Sequence, residues 1–269
     1  MLYHTKNGSV VLGKTEMEYV SFGTGEKTLV MLPGLGDGLK TARGLAVPFA
    51  LMFRQYAGDY RVYALSRKNA LAEGCSTRDM ARDTREAMDL LGIERADVIG
   101  ISQGGMIAQY LAVDSPQAVG KLVLAVTLAR QNPLIEEAVG SWLRMAEADD
   151  YKSLFIDTAE RSYSQAYLKK YRALYPILTR VGKPKSFERF IIQAHACLGH
   201  DAYGELDRIT CPTFVVGADC DKVVGPDASR ELARSIAGSR LWMYAGLGHG
   251  AYEEAKDFNS RVLEFLREM

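Results

Sequence analysis

The amino-acid sequence predicts an α/β protein with a mostly parallel, doubly wound sheet and a helical segment inserted late in the chain. Short apolar runs, typical of strands buried on both faces, alternate with segments of helical spacing. This alternation stops between Arg130 and about Asp207 and then returns. The 269 residues, 48% of them hydrophobic, suffice for one large domain that carries such an insertion.

Strands and helices alternate through the first half of the chain. The expected strands are residues 17–22, 28–32, 60–65, 96–101 and 121–126. The expected helices are 45–56, beginning near Pro48, 77–91 and 104–113. Ser76 or Thr77 is a suitable N-cap for the second helix, and Gly92 is a suitable end. Because repeated strand–helix–strand units build parallel sheets, we expect helices on both faces of one sheet.

The segment 130–207 has the composition of a helical insertion. It contains no β-branched run and is rich in helix formers, with breakers at Pro133, Pro176 and Pro184. We therefore expect a helical cap over the carboxyl edge of the sheet. After it we expect strands at 212–217 and 240–244, a helix at 227–237, and a terminal helix with Phe258, Val262, Phe265 and Leu266 on one face.

The charge balance argues against partners that need a strong electrostatic field. Lys and Arg number 33, as do Asp and Glu, so we expect a small-molecule substrate and neither nucleic acid nor membrane as a partner. The amino terminus lacks a secretory apolar segment and no run is near the ~20 residues of a membrane span, so we expect a cytoplasmic protein. Its oligomeric state is left open between a monomer and a homodimer. The four cysteines lack CxxC or zinc-ligand spacing, and we expect them reduced.

A Gly-x-Ser-x-Gly motif joins a buried strand to a helix at Ser102. The apolar run 98–101 precedes the motif, and residues 106–111 follow it with helical spacing. Gly100 and Gly104 leave room for the strand and the helix to close on a serine whose backbone the turn strains. This context predicts a nucleophile elbow that holds the Ser102 hydroxyl out at the carboxyl edge of the sheet.

A serine nucleophile needs a base and a group that orients the base. Of the four histidines, only His249 follows an expected sheet strand on a glycine loop, so we expect it to be the base. Asp219 and Asp221 both follow the strand at 212–217, and no carboxylate follows the strand that ends at Val126. The residues therefore predict Ser102, His249 and one of these aspartates at one sheet edge.

Two other kinds of site fit the same residues less well. Asp219, Cys220, Asp221 and His249 match no spacing typical of a metal site, so we expect no metal. Cys220 has no separate base and is a poor nucleophile candidate. We also expect no organic cofactor, because serine chemistry requires none.

The elbow, the glycine-rich loop after Leu32 and the order Ser102, Asp221, His249 resemble the α/β-hydrolase fold superfamily along nearly the whole chain. The resemblance is to its capped, single-domain branch. It implies that Asp221 is the triad acid, because the residues after it resemble the family pattern. It also implies that the backbone N–H groups of Leu35 and Gln103 form the oxyanion hole.

The same resemblance implies how the chain is divided. A lid would be inserted after the sixth strand of the α/β-hydrolase sheet. The core would then consist of residues 1–129 and 208–269, and the cap of residues 130–207.

The sequence departs from the family pattern in two loops. Many relatives have His-Gly where this chain has Pro33-Gly34, so we expect the oxyanion loop to be braced differently. Many also carry an Asp and a glycine-rich turn after the fourth strand, where this chain has residues 66–69. Arg67 and Lys68 in that loop are candidates for binding an anionic substrate, but we expect both side chains to be solvated.

The cap offers candidates for the substrate-binding surface. Tyrosines recur every four residues at Tyr163, Tyr167, Tyr171 and Tyr175, a stripe that favours packing of the cap onto the core over a substrate-facing aromatic wall. The candidates for residues that face Ser102 are Met145, Phe155, Tyr163, Tyr171 and Phe187. One tyrosine side chain can both pack the cap onto the core and face the substrate.

These residues predict a serine hydrolase that cleaves a small, largely apolar ester or related acyl compound through an acyl-enzyme. Carbon–carbon bond hydrolysis, thioester hydrolysis, acyl transfer and cofactor-free perhydrolysis use the same constellation and stay open. A serine nucleophile argues against haloalkane dehalogenase and epoxide hydrolase chemistry. The rival from another class is a ligand-binding, receptor-like member of the superfamily with slow turnover.

Overall fold

Eight strands form one sheet, and helices cover both of its faces. The computed structural model describes residues 2–268, apart from the side chains of Leu2 and Val181. The strands are β1 (Lys6–Leu12), β2 (Thr15–Phe22), β3 (Lys27–Leu32), β4 (Tyr60–Lys68), β5 (Ala96–Ile101), β6 (Val119–Ala125), β7 (Thr213–Ala218) and β8 (Arg240–Tyr244). Their order across the sheet is β1-β2-β4-β3-β5-β6-β7-β8.

The sheet is mostly parallel, as the sequence predicts. β2 runs antiparallel to both β1 and β4, whereas all pairs from β4 to β8 are parallel. The chain leaves β3 toward β4 on one side and later adds β5 on the other, so the strand order reverses between β3 and β5. Ligands of open α/β sheets bind outside the carboxyl ends of the strands at such a reversal, and Leu32 and Ile101 end these two strands.

Eleven α-helices are present in the part of the chain that the structure describes. They are α1 (Ala46–Met52), α2 (Thr77–Leu90), α3 (Gln103–Asp114), α4 (Pro133–Glu147), α5 (Tyr151–Ser162), α6 (Gln165–Tyr171), α7 (Tyr175–Val181), α8 (Glu188–Leu198), α9 (Pro226–Ser235), α10 (Ala251–Glu254) and α11 (Phe258–Arg267). Short 3₁₀ turns include Leu35–Gly38 and Arg172–Leu174.

Alternate residues of the central strands pack against helices on opposite faces. On β3, Val30 belongs to the cluster that includes α2 and α3, whereas Leu29 and Met31 belong to the cluster that includes α1 and α11. Because side chains of a strand point alternately to its two faces, this division is what a sheet covered on both faces requires. The doubly wound fold class is confirmed.

One unexpected strand and the start of the first helix are the differences from the sequence expectation near the amino terminus. β1 was not expected, because it is an edge strand with a mostly polar, largely exposed sequence that lacks a strand signal. Helix α1 begins at Ala46 and not at Pro48. Pro48 lies in the first turn, where a missing N–H removes no intrahelical hydrogen bond.

Helices α4–α8 lie between β6 and β7, and their apolar faces form a cluster with residues of the core. Ile135, Trp142 and Leu154 from the inserted helices pack there with Leu35 and Met106 from the core. An isolated bridge between Arg130 and Asp201 joins the two ends of the insertion. The insertion therefore packs over the carboxyl edge of the sheet. Within residues 2–268, none of the helices combines the length and the apolar character that a bilayer crossing would need.

Candidate active site

Ser102 occupies a strained turn between β5 and α3. Its backbone has φ 53° and ψ −119°, a conformation that L-residues rarely adopt. A Cβ on Gly104 would collide with the carbonyl oxygen of Leu32, and one on Gly100 would collide with the backbone of Gly104. Only glycine therefore fits at either position, and the turn holds the serine at the end of the sheet.

The structure brings His249 and Asp221 to Ser102. His249 Nε2 lies 2.9 Å from Ser102 Oγ, and His249 Nδ1 lies 2.9 Å from Asp221 Oδ2. The other carboxylate oxygen, Oδ1, accepts the backbone N–H groups of Val223 and Val224 at 2.8 and 3.0 Å. The three side chains form one continuous hydrogen-bonded series from carboxylate to hydroxyl.

The charge state of Asp221 decides the direction of these bonds. Burial raises its pKa, but the charge and hydrogen bond of His249 and the two backbone N–H groups outweigh burial, so the pKa lies below its ordinary value. An ionised carboxylate only accepts hydrogen bonds, so His249 Nδ1 donates to it. His249 Nε2 is then free to accept the proton of the Ser102 hydroxyl.

The glycine loop that carries His249 is fixed from two sides. The Gly250 N–H donates to the carbonyl oxygen of Ser162, the last residue of α5, at 2.7 Å. On the core side, Asp219 Oδ1 accepts the Gly246 N–H at 2.7 Å. Of the two aspartates considered from the sequence, Asp221 contacts the imidazole, whereas Asp219 holds the loop.

Leu35 and Gln103, the residues expected to supply oxyanion donors, are each the first residue of a helical turn beside Ser102. Gln103 is the first residue of α3, and Leu35 is the first residue of the turn Leu35–Gly38. A Cβ on Gly34 would lie 3.3 Å from the Cβ of Ser102, so this loop packs directly against the serine. First-turn N–H groups have no intrahelical acceptor and are suited to receive negative charge.

A cavity of about 290 Å³ opens at Ser102 between the core and the inserted helices. It is lined by Gly34, Leu35, Gly36, Leu39, Ile101, Ser102, Trp142, Leu154, Phe155, Thr158, Ala159, Ser162, Tyr163, His249, Gly250 and Tyr252. This lining, which lies wholly within the described residues, includes no Lys, Arg, Asp or Glu. Larger depressions of about 420 and 620 Å³ lie at other places on the surface and include none of the three residues.

A model of the α/β hydrolase fold family matches residues 27–256 of the chain. The chain belongs to this family. It is a hydrolase of the α/β type, since its sequence relatives are named as hydrolases.

Two curated relatives and two solved structures illustrate the similarity. The 2-hydroxy-6-oxononadienedioate/2-hydroxy-6-oxononatrienedioate hydrolase of Klebsiella pneumoniae is 30% identical over 262 residues, which cover 91% of this chain and 88% of the relative. The enzyme of the same name from Paraburkholderia xenovorans is 27% identical over 288 residues, covering 94% and 91%. An enol-lactonase from Burkholderia xenovorans has a TM-score of 0.83 at 22% identity and covers 97% of this chain and 100% of that chain. An esterase from Exiguobacterium antarcticum has a TM-score of 0.75 at 21% identity, covering 94% and 96%.

Of the five residues of the insertion expected to face Ser102, two line the cavity and three do not. Phe155 and Tyr163 line the cavity. Met145, Tyr171 and Phe187 do not, which corrects the expectation for these three. Phe187 is buried against Tyr151, with ring centroids 6.5 Å apart, and Met145 packs in the same cap cluster. Tyr171 is 39% exposed.

Trp142, Leu154 and Tyr252 line the cavity but were not candidates from the sequence. Trp142 and Leu154 lie on the apolar faces of α4 and α5, so helical periodicity predicts their burial but not what they face. Tyr252 follows His249 by three residues. That proximity is the one signal that could have placed it at the site.

The tyrosine stripe ties the cap to the core and also reaches the cavity. Tyr163, Tyr167 and Tyr171 stack, with successive ring centroids 4.6 and 4.5 Å apart. The Tyr163 hydroxyl donates to Glu253 on α10 at 2.7 Å. Tyr175 leaves the stripe, because a 3₁₀ turn separates α6 from α7, and its ring packs against Phe155.

Arg67 is not solvated, contrary to the sequence expectation. β4 continues to Lys68, so Arg67 belongs to the strand, where it is 3% exposed. Its guanidinium donates to the Pro33 carbonyl and, at 3.0 Å, to Gln103 Oε1. Lys68 pairs with Asp83 at 2.8 Å. Neither cation lines the cavity.

No group of three or more His, Cys, Asp or Glu side chains that could hold a metal ion occurs among the residues that the structure describes. Cys220 is exposed, and Cys197 is buried. Burial raises the pKa of the Cys197 thiol to about 12, so this thiol is protonated at neutral pH.

Proposed function

We propose that this α/β-hydrolase is a serine hydrolase that cleaves a small, largely apolar, uncharged ester or related acyl compound. The observation that carries the proposal is the series Asp221–His249–Ser102, with both contacts at 2.9 Å, at the floor of a cavity without charged walls. A serine hydroxyl is a weak nucleophile until a positioned base takes its proton. These contacts supply the base and its orienting group.

In the proposed reaction, His249 Nε2 accepts the Ser102 proton while Oγ attacks the carbonyl carbon of the substrate. Asp221 holds the imidazole with its proton on Nδ1 and stabilises the imidazolium that forms. The imidazolium then protonates the leaving alcohol, and an acyl-enzyme remains on Ser102. Water that His249 deprotonates attacks the acyl carbon and releases the acid, which restores the serine.

The developing oxyanion needs donors on the opposite side of the carbonyl from the base. The N–H groups of Leu35 and Gln103 begin the two turns beside Ser102 and are the proposed donors. Each donor of this kind lowers the barrier by roughly 3 kcal/mol.

The cavity supports an uncharged substrate. A volume of about 290 Å³ is at the small end for ligand pockets, and its walls are mostly Leu, Ile, Phe, Trp and Gly side chains or backbone. Apart from Ser102 and His249, the lining residues that carry a hydroxyl are Thr158, Ser162, Tyr163 and Tyr252. A free carboxylate bound there would have no cationic side chain to neutralise it.

The second candidate is carbon–carbon bond hydrolysis, which uses the same three residues. The names of the Klebsiella and Paraburkholderia relatives favour it, since both are hydrolases of 2-hydroxy-6-oxo dienedioates. A dioate carries two carboxylates, whereas the described cavity walls hold no Lys or Arg. We therefore place it second. Thioester hydrolysis, acyl transfer, perhydrolysis and slow receptor-like binding are the remaining alternatives.

The test combines active-site labelling with a substrate panel. Wild-type protein is treated with a fluorophosphonate probe and assayed on p-nitrophenyl acetate, butyrate and octanoate, the matching thioesters, and a 2-hydroxy-6-oxo dienoate with and without a second carboxylate. We expect labelling at Ser102 and the highest kcat/KM on a short ester. Fast turnover of the dicarboxylate with weak ester turnover would select carbon–carbon hydrolysis, and a folded protein without labelling would favour a binding role.

We also propose the domain division expected from the sequence, with core residues 1–129 and 208–269 and cap residues 130–207. Its support is the apolar cluster that the inserted helices form where they meet the core, and the bridge between Arg130 and Asp201 at their base. Limited proteolysis tests it. Initial cuts should fall near residues 130 and 207 or in the exposed 3₁₀ turn within the cap.

A further inference from the structure

A group of buried polar side chains lies behind the oxyanion loop and does not line the cavity. We name it the guanidinium cluster and define it as Arg67, Asp37, Gln103 and Arg189. Asp37 and Gln103 are buried, and Arg189 reaches from cap helix α8 into the core. Buried charges are costly unless they are paired, so this cluster requires an explanation.

Arg67 joins the two backbone segments that carry the proposed oxyanion donors. Its Nη2 donates to the carbonyl oxygen of Pro33, two residues before Leu35. The same nitrogen donates to Oε1 of Gln103 at 3.0 Å. One rigid, planar group is therefore bonded to both sides of the site.

The Gln103 amide transmits this contact because its other end is also fixed. Its Nε2 donates to the Gln193 carbonyl oxygen at 2.9 Å and to Cys197 Sγ at 3.2 Å. Both acceptors belong to α8. The first residue of α3, next to the nucleophile, is thus held between Arg67 and the cap.

The positive charge of Arg67 has no carboxylate of its own. The one carboxylate of the cluster belongs to Asp37, and it pairs with Arg189 at 2.5 Å. From Arg67 it accepts the backbone N–H, at 3.0 Å, and not the guanidinium. Within the described residues, Nε and Nη1 of Arg67 have no hydrogen-bond partner. Burial lowers the pKa of Arg67 to about 10, so the group is still charged at neutral pH.

We propose that Arg67 is the positioning residue of the oxyanion hole, an inference that rests on the function proposed above. It holds the Leu35 and Gln103 segments at the spacing that an oxyanion needs, and its unpaired buried charge favours the negative charge that develops there. Both effects act on the transition state more than on the bound substrate.

This role accounts for the departure of the loop from the family pattern. The family's His-Gly is replaced by Pro33-Gly34, so the loop has neither an imidazole nor a Pro33 N–H to brace it. The Pro33 carbonyl is instead held by Arg67, which stands in a segment where many relatives have an Asp and glycine-rich turn. The two departures compensate each other.

The test compares Arg67→Met, Arg67→Lys and the matched control Arg189→Met in the full-length protein. Arg189 is the second arginine of the cluster and donates to Asp37 and to the Arg67 carbonyl oxygen, but it contacts neither Pro33 nor Gln103. The measurements are kcat and KM on the best ester of the panel, the thermal midpoint, and the Ki of a trifluoromethyl ketone that forms an oxyanion adduct with serine.

We expect Arg67→Met to lower kcat about 100-fold with KM changed less than about threefold, because a small displacement of donors carries such a cost. The Ki of the ketone should rise in proportion to the loss of kcat/KM. Arg67→Lys keeps the charge but replaces the rigid, planar guanidinium with a compact ammonium on a flexible stem, so it should recover about tenfold. Arg189→Met should lower the thermal midpoint with a smaller effect on kcat and on the ketone.

Three results would overturn the role of Arg67 alone. These are Arg67→Met with kcat within threefold of wild type, equal losses in Arg67→Met and Arg189→Met, or a Ki that does not follow kcat/KM. If Arg67→Met does not fold, Arg67→Lys decides, since unchanged kcat and Ki without the rigid, planar guanidinium contradict the proposal. A wild-type protein that neither turns over acyl substrates nor labels at Ser102 would instead refute the proposed function itself.

Discussion

Two buried histidines of this hydrolase each lie 2.9 Å from a hydroxyl oxygen, and they are built for different purposes. His249 Nε2 contacts Ser102 Oγ at the carboxyl edge of the sheet. His200 Nδ1 contacts Thr77 Oγ1 beneath the insertion, where the start of α2 meets the chain after α8. The contact between imidazole and hydroxyl is the same, so the difference must come from what surrounds it.

Only one of the two histidines has, among the described residues, a carboxylate partner and a place in the cavity at Ser102. His249 pairs with Asp221 and lines the cavity. His200 has the edge of the Tyr110 ring against it, with centroids 5.3 Å apart, and is 1% exposed. Burial lowers the pKa of His200 to about 3, so it stays neutral and cannot gain a proton from a hydroxyl. A base needs stabilisation of its charged form, which only Asp221 supplies.

The hydroxyl groups of Ser102 and Thr77 also differ, in backbone conformation and in access to the cavity. Ser102 sits at φ 53° on the elbow, where its Oγ reaches the cavity. Thr77 is the first residue of α2, behind the capping box formed by Ser76 and Asp79, and is buried. Strained backbone at a ligand-accessible position is typical of function, whereas Thr77 occupies an ordinary helical position.

The largest expected effect comes from removing the hydroxyl that His249 contacts, compared with removing the one that His200 contacts. Ser102→Ala should lower kcat on the best ester about 10⁶-fold, to the background that the remaining site supports. Thr77→Val removes the equivalent hydroxyl at His200 and should leave kcat within twofold of wild type. Circular dichroism shows whether each variant is folded. Ester turnover that survives in folded Ser102→Ala would refute the assignment of the nucleophile.

The next effect concerns the carboxylate that distinguishes the two histidines. Asp221→Asn keeps an oxygen for the N–H groups of Val223 and Val224, but it no longer stabilises the imidazolium or fixes the tautomer of His249. We expect kcat to fall about 10⁴-fold with little change in KM. The control is Asp219→Asn, which should retain most activity because Asp219 bonds the loop and not the imidazole. A loss in Asp219→Asn that equals the loss in Asp221→Asn would contradict this division.

The sequence predicts the His249 contact because its three residues each follow a strand of one parallel sheet. Strand ends of such a sheet meet at one edge, so Ser102, Asp221 and His249 come together whatever the loops between them do. Their glycine neighbours add a steric signal at the elbow. Short-range patterns therefore pointed to Ser102, His249 and one of two aspartates, and the family resemblance selected Asp221 over Asp219.

The contacts that sequence reasoning missed depend on packing between helices or on unusual burial. The pair of Thr77 and His200 joins residues with no shared strand, and the burial of Arg67 contradicts the usual exposure of arginine. Helical periodicity likewise predicts buried faces in the cap but not which face meets the cavity. Trp142 on α4 was therefore missed, although it lines the cavity as Phe155 does.

The smallest effect separates the histidines by the pH dependence of stability. An unfolded histidine has a pKa near 6.5, whereas folded His200 has a pKa of about 3, so below pH 6.5 the unfolded chain takes up a proton that the folded protein does not. The free energy of unfolding therefore falls as the pH drops, and His200 accounts for about 2 kcal/mol of this fall between pH 7 and pH 5. In His200→Asn this part of the pH dependence should vanish, although the variant has a lower stability at pH 7. Urea unfolding of both proteins at pH 7 and pH 5 measures the difference, and parallel losses in the two proteins would mean that His200 is protonated in the folded state, which would remove the contrast with His249.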